Sequence, residues 1–138
     1  MAQEVLLTIS TLTDDDDDDE AMETKVTATY YQRADAHYLL FEENLEGYST
    51  PFQSRLKIKK KHVELKRQGA ADINMIFEEG GKHLTRYVTP YGELFLDIIT
   101  KTVDVTEHPD GLSIKVQYTI ENAGTPVSDY ELHITVKE

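Results

Sequence analysis

The sequence predicts an all-β fold, an antiparallel up-and-down β-barrel of about 8–10 strands. Apolar and polar residues alternate with period two along nearly the whole chain, and helical spacing is nowhere sustained. The alternating runs are rich in Thr, Val, Ile and Tyr, which suit a half-buried pleated surface. Turn residues interrupt the runs at short intervals, so consecutive strands are expected to pair antiparallel. A flat sheet of that size would leave a wide apolar face and two edges uncovered. Curling buries the face, and full closure removes the edges. A Greek-key sandwich needs long crossings, which short sequential connections disfavour.

Each strand shows its own alternation. Val5, Leu7 and Ile9 alternate with polar neighbours, as do Val26, Ala28 and Tyr30. His37, Leu39 and Phe41 follow, then Phe52, Ser54, Leu56 and Ile58 against Gln53, Arg55, Lys57 and Lys59. Val63 and Leu65 precede Ile73, Met75 and Phe77. Leu84, Arg86 and Val88 share one phase, as do Leu94, Leu96 and Ile98. The phase slips near Ile99 and Thr100 before Val103 and Val105, which predicts a bulge in a long strand. Leu112 to Ile120 and Tyr130 to Val136 complete the set. The last run either closes the barrel on the first strand or pairs across a homodimer. Gly69, Gly80-Gly81, Pro90-Tyr91-Gly92, Asp110-Gly111 and Asn122-Ala123-Gly124 read as turns, Asp110-Gly111 as a type I′ hairpin in which Gly takes positive φ.

Charge and composition bound the function. The 138 residues carry a net charge of −12 and no cysteine, which excludes disulfides, thiolate zinc sites and cysteine nucleophiles. One domain over residues 1–138 fits this length. No run approaches the ~20 apolar residues of a membrane span, and no apolar segment follows Met1, so the expectation is a cytoplasmic protein without membrane contact. The acids Asp14–Glu20 read as a solvated surface loop, since they lack the alternating ligands and central Gly of a calcium loop. Lys57, Lys59, Lys60 and Lys61 form a basic surface patch. Nucleic acid is disfavoured as its partner, because the remainder of the chain would repel phosphate.

Several blocks resemble a known family. Tyr30-Tyr31, Tyr38-Leu39 and Glu42-Glu43 are followed by Val63-Glu64-Leu65-Lys66-Arg67-Gln68-Gly69, then Met75 and Phe77. The strongest block runs from Thr85-Arg86-Tyr87-Val88-Thr89-Pro90-Tyr91-Gly92-Glu93-Leu94 to Thr100. In order and spacing the chain resembles the YwiB-like family of uncharacterised bacterial proteins. The resemblance implies a calycin-type, lipocalin-like barrel in a bacterial cytoplasm. It implies no activity, ligand or catalytic residue.

Chemistry-bearing residues are few. There is no Gly-x-Ser-x-Gly elbow, no His-Glu-x-x-His and no phosphate loop. Glu42-Glu43 and Glu78-Glu79 are adjacent on strands and point to opposite faces, so neither is an acid/base dyad. No catalytic set, metal site or cofactor is expected. His62, His83 and His133 are expected outside, and His37 inside with Leu39 and Phe41, most simply as a satisfied interior histidine.

Arginine in apolar phase is the informative anomaly. Arg67 follows Val63 and Leu65, and Arg86 lies between Leu84 and Val88. A buried guanidinium costs several kcal/mol unless paired. With Tyr30, Tyr118 and His37, these two arginines form a candidate anionic-ligand site inside the barrel. The competing reading puts Arg67 in solvent at a strand end and pairs Arg86 with Glu93 or Asp97. Tyr48, in the Asn44–Pro51 loop, is the candidate lid. The expected function is therefore binding of a small amphipathic or anionic molecule by a monomer or homodimer. The alternative is an interaction module with a filled core, acting through its charged surface on a protein or, less favoured, an RNA. An enzyme ranks last.

Overall fold

The computed structural model describes residues 3–13, 22–44, 48–89 and 92–138. The expected Asp14–Glu20 loop lies outside them, as does Tyr91. Ten strands follow in order: β1 (Gln3–Thr13), β2 (Met22–Arg33), β3 (Ala36–Glu43), β4 (Phe52–Lys59), β5 (His62–Gln68), β6 (Ile73–Glu78), β7 (Lys82–Thr89), β8 (Gly92–His108), β9 (Gly111–Asn122) and β10 (Thr125–Lys137). No helix occurs among the described residues. The sheet order is β6-β5-β4-β3-β2-β1-β10-β9-β8-β7, and every ladder is antiparallel. This is an up-and-down, nearly closed barrel. β10 pairs with β1, as in Leu7↔Val136, so the last run closes the chain on itself. The remaining seam lies between β6 and β7.

The period-two pattern fills the interior. Leu7, Leu39, Leu56, Ile58, Phe77 and Ile134 are among the fully buried side chains. Burying one such side chain contributes about 1.5–3 kcal/mol. The barrel is thus packed through its middle, leaving room for solvent at its ends.

The expected phase slip is a bulge: the β8–β9 register shifts between Thr100 and Thr102. Ile98 and Thr100 are buried before it, Val103 after it. An extra residue in one strand reverses which face each later side chain takes.

Two sequence expectations are corrected. The type I′ geometry sits at Ala123 (φ 51) and Gly124 (φ 84), not at Asp110-Gly111. Gly111 is required for space: an added Cβ would lie 1.7 Å from the Val136 carbonyl oxygen. On β7 the faces are exchanged. Thr85 is buried, whereas Leu84 is 64% exposed. Arg86 therefore points out, and His83 lies half-buried on the Thr85 parity, 3.5 Å from Glu78. Leu84 lies on the outer face of β7, which inverted the reading. Among the described residues no helix is long and apolar enough to cross a membrane.

Candidate functional site

The richest chemistry lies at the barrel end that carries the turns Ala34–Asp35, Lys60–Lys61 and Pro109–Asp110. Tyr30 lies on the inward parity near the end of β2, and His37 enters from the start of β3. The tight turn between them, with Ala34 at φ 55, brings the two rings together at 5.8 Å between centroids. Glu107 arrives from β8. It shares the parity of Val103 and Val105, so the bulge at Thr100–Thr102 is what turns it toward this mouth.

A hydrogen-bond chain joins the three. Tyr30 Oη is 2.7 Å from His37 Nδ1, and His37 Nε2 is 3.1 Å from Glu107 Oε1. The Tyr30 hydroxyl is pushed above its ordinary value of 10.0 by burial, then by the charges of Glu107 and Glu138. It therefore stays protonated and donates to Nδ1. A neutral His37 then carries its proton on Nε2 and donates to Glu107. The His37 side chain is 10% exposed and that of Glu107 is 70% exposed, so the chain runs from the wall to solvent.

The cleft around this chain has a volume of about 250 Å³. Val5, Leu112 and Val136 form an apolar floor, and Gln3, Gln32, His108 and Glu138 form a polar rim. Gln3 Nε2 donates to Glu138 Oε1 at 2.8 Å, tying the first strand to the last. The nearby carboxylates make the rim anionic.

A protein-family model described as "Domain of unknown function (DUF1934)" matches residues 7–134 of the chain. The chain belongs to the DUF1934 family. It is 29% identical over 118 residues to the "Uncharacterized beta-barrel protein YwiB" of Bacillus subtilis, a match covering 83% of this chain and 82% of that protein. The crystal structure of the ywiB protein from Bacillus subtilis superposes with a TM-score of 0.85 at 22% identity. That superposition covers 99% of this chain and 92% of the other. The similarity establishes the β-barrel of this DUF1934 member.

The other expected site residues disperse over the DUF1934 barrel. Arg67 lies on the inner parity, yet it is committed. Its Nε donates to Glu43 Oε1 at 2.9 Å and its Nη2 to Oε2 at 3.2 Å. Ser54 Oγ donates to the same Oε1 at 2.6 Å. Arg86 lies outside, 3.7 Å from Glu93, so the expected pair of interior arginines does not exist. Tyr118 is buried in the core between Phe77, at 4.8 Å, and Tyr130, at 5.3 Å. Tyr48 packs edge-on against Phe52 at 4.8 Å. It sits at the opposite end from Tyr30 and His37, so it is no lid over them. Lys57, Lys59, Lys60 and Lys61 lie outside; Lys57 stacks over Tyr38 at 5.8 Å and Lys61 reaches Glu79 at 3.5 Å. Among the described residues no group of three His, Asp or Glu side chains is placed to hold a metal ion.

Sequence reasoning missed Glu107 and Glu43. Both are acids that pair with groups distant in sequence, and period two alone carries no such signal. The Tyr30 environment yields a direct test. A group whose folded-state value is raised contributes stability that is complete below the unfolded value and is lost as pH rises through the folded one. The wild-type melting temperature should therefore fall more steeply above pH 10.0 than that of Tyr30→Phe, measured by circular dichroism. Parallel alkaline curves would exclude the assigned environment.

Proposed function

We propose that the protein is a non-catalytic, cytoplasmic binding barrel that seats a small amphipathic ligand in the mouth formed by Tyr30, His37 and Glu107. The observation that carries this reading is the cleft itself: a half-buried Tyr30 and a buried His37 aimed at a solvent-facing carboxylate, above an apolar floor. Lipocalin-like barrels offer their mouths to ligands in this manner, and the filled middle of the present barrel leaves a mouth as the place for one. Glu107 and Glu138 favour a cationic or strongly donating head group, with the apolar body against Val5 and Leu112. The anionic head group suggested by arginine in apolar phase loses its support, since Arg67 is neutralised by Glu43 and Arg86 faces outward. Tyr30 held neutral is a donor, not a nucleophile, which favours binding over catalysis.

n-Hexylamine and hexanoate are suitable paired probes, matched in apolar body and opposite in head charge. Hexylammonium should raise the melting temperature and shift the His37 ring resonances; hexanoate should do neither. Glu107→Gln and Tyr30→Phe should each weaken amine binding about tenfold, the equivalent of ~1.4 kcal/mol for a charge-assisted contact. Equal affinity for both probes, or full affinity in Tyr30→Phe, would sink the assignment.

A further inference from the structure

Outside the barrel, β4 and the turn after it gather cations on one wall. From Phe52 to Lys61 the chain carries Arg55, Lys57, Lys59, Lys60 and Lys61 and no acid. Alternation with the buried Leu56 and Ile58 turns Arg55, Lys57 and Lys59 outward together. Successive cations on such a strand stand about 6–7 Å apart. Two acids border the strip. Glu64 opposes Lys57 and stands 4.0 Å from Arg55, a partly exposed pair of little strength. Glu42 accepts from Gln53 Nε2 at 3.3 Å. Among the described residues Lys57, Lys59 and Lys60 make no ion pair.

Aromatic rings adjoin the strip. Tyr31 of β2, Tyr38 of β3 and Lys57 of β4 occupy one row across the sheet. The two rings stack at 4.9 Å between centroids and 7° between planes, and Lys57 Nζ lies 5.8 Å from the centroid of Tyr38. One face of Tyr38 is therefore taken by Tyr31, and the other is covered by a flexible lysine. In the next row the exposed Leu40 lies beside Arg55. Rings bordered by a line of cations form a platform for single strands, with bases on the π-faces and phosphates on the cations.

We propose that this outer wall of β2, β3 and β4 binds single-stranded nucleic acid. Arg55, Lys57 and Lys59 meet successive phosphates. A base takes the place of Lys57 on Tyr38 as its ammonium moves to a phosphate. An acidic protein segment would use the cations and leave the ring face idle, so the rings decide between the two. The net charge of −12 disfavours a polyanion for the chain as a whole. Position reverses that weight. Met22, just after the acids Asp14–Glu20, stands about 30 Å along β2 from Tyr31. Fields between exposed charges fade over about 8 Å at physiological salt, so the local surplus of the strip governs contact. The mouth lies on the inner side, with Tyr30 and His37, and takes no part in this inference.

Fluorescein-labelled oligouridylate and oligothymidylate twelve-mers are the probes, with an abasic strand and an oligoglutamate of equal charge as controls. Both oligonucleotides should bind at low salt by fluorescence anisotropy, and the tighter of the two assigns the sugar. Affinity should fall with salt at a log–log slope of about −2, the value for three phosphate contacts on a single strand. The abasic strand and the oligoglutamate should bind about fivefold more weakly or worse, the loss of one stacked base. Tyr38→Leu should lose as much for the oligonucleotides and nothing for the abasic strand. Lys57→Gln/Lys59→Gln, altered at two outward positions, should lose tenfold or more and keep its melting temperature. Tyr30→Phe should bind normally, which separates this result from any at the mouth. No binding at low salt, equal binding of the abasic strand, or full affinity in the double glutamine variant overturns the proposal. So does oligoglutamate binding as tightly as oligouridylate, since the occupant would then be an acidic protein.

Discussion

Replacing Arg67 with Met should lower the stability of the barrel by about 3–5 kcal/mol at neutral pH, the range for removing one partner of a buried ion pair. The target is Glu43, whose side chain is 2% exposed. Arg67 supplies two of the three hydrogen bonds that satisfy its carboxylate, at 2.9 and 3.2 Å, and Ser54 supplies the third at 2.6 Å. Without the guanidinium, a full negative charge stays in an apolar wall with one neutral donor. Methionine keeps much of the stem's packing, so the loss reports the charge rather than a cavity. The double variant Arg67→Met/Glu43→Gln should recover most of the stability, because a neutral amide can still accept from Ser54. Urea unfolding of the two singles and the double gives the coupling directly. A single variant within ~1 kcal/mol of wild type, or a double no better than the single, would show that the pair does not carry the charge.

Gly111→Ala should be comparably severe, at roughly 3 kcal/mol or somewhat more, the upper range of overpacking. Its Cβ would lie 1.7 Å from Val136 O and 2.8 Å from the carbonyl carbon. Both contacts are backbone, so no side chain can rotate away. β9 and β10 must part where Gly111 opposes Lys137, and the bond from Glu138 N to Asp110 O at 3.0 Å is put at risk. Since Gly111 and Glu138 both line the mouth, amine binding should weaken with stability. Gly124→Ala is the contrast: φ is +84 and no atom lies within 4 Å of the added Cβ. It should cost only about 1–2 kcal/mol, from backbone strain. Thermal melts of both variants decide the matter. Equal losses would mean that the close approach at Gly111 relaxes freely.

The barrel was legible because its signal is local. Alternation, turn residues and short connections suffice to place ten strands and even the slip in β8, where Ile98 and Val103 sit on opposite parities but both face inward. The site was half legible. Tyr30 and His37 were placed inside by phase, and they do meet. Arg86 was misplaced because β7 turns its Leu84 outward at the seam, where it faces solvent. Nothing in the alternation of a single strand announces this. Glu107 and Glu43 escaped for a different reason: Glu107 meets His37 only through the curvature of the whole sheet, and Glu43 meets Arg67 only once the registers of β3, β4 and β5 set both beside Ser54.

The ladder between β1 and β10 has a consequence for synthesis. Every other ladder joins consecutive strands, so each forms as soon as its second strand leaves the ribosome. β1 alone must wait, since Leu7 pairs with Val136 at the far end of the chain. At roughly 5–20 residues per second, that interval lasts several seconds or longer. Throughout it, the nascent meander presents the free edge of β1 and an uncurled greasy face. Holding that intermediate soluble until the cylinder shuts is the task this topology hands to the cell.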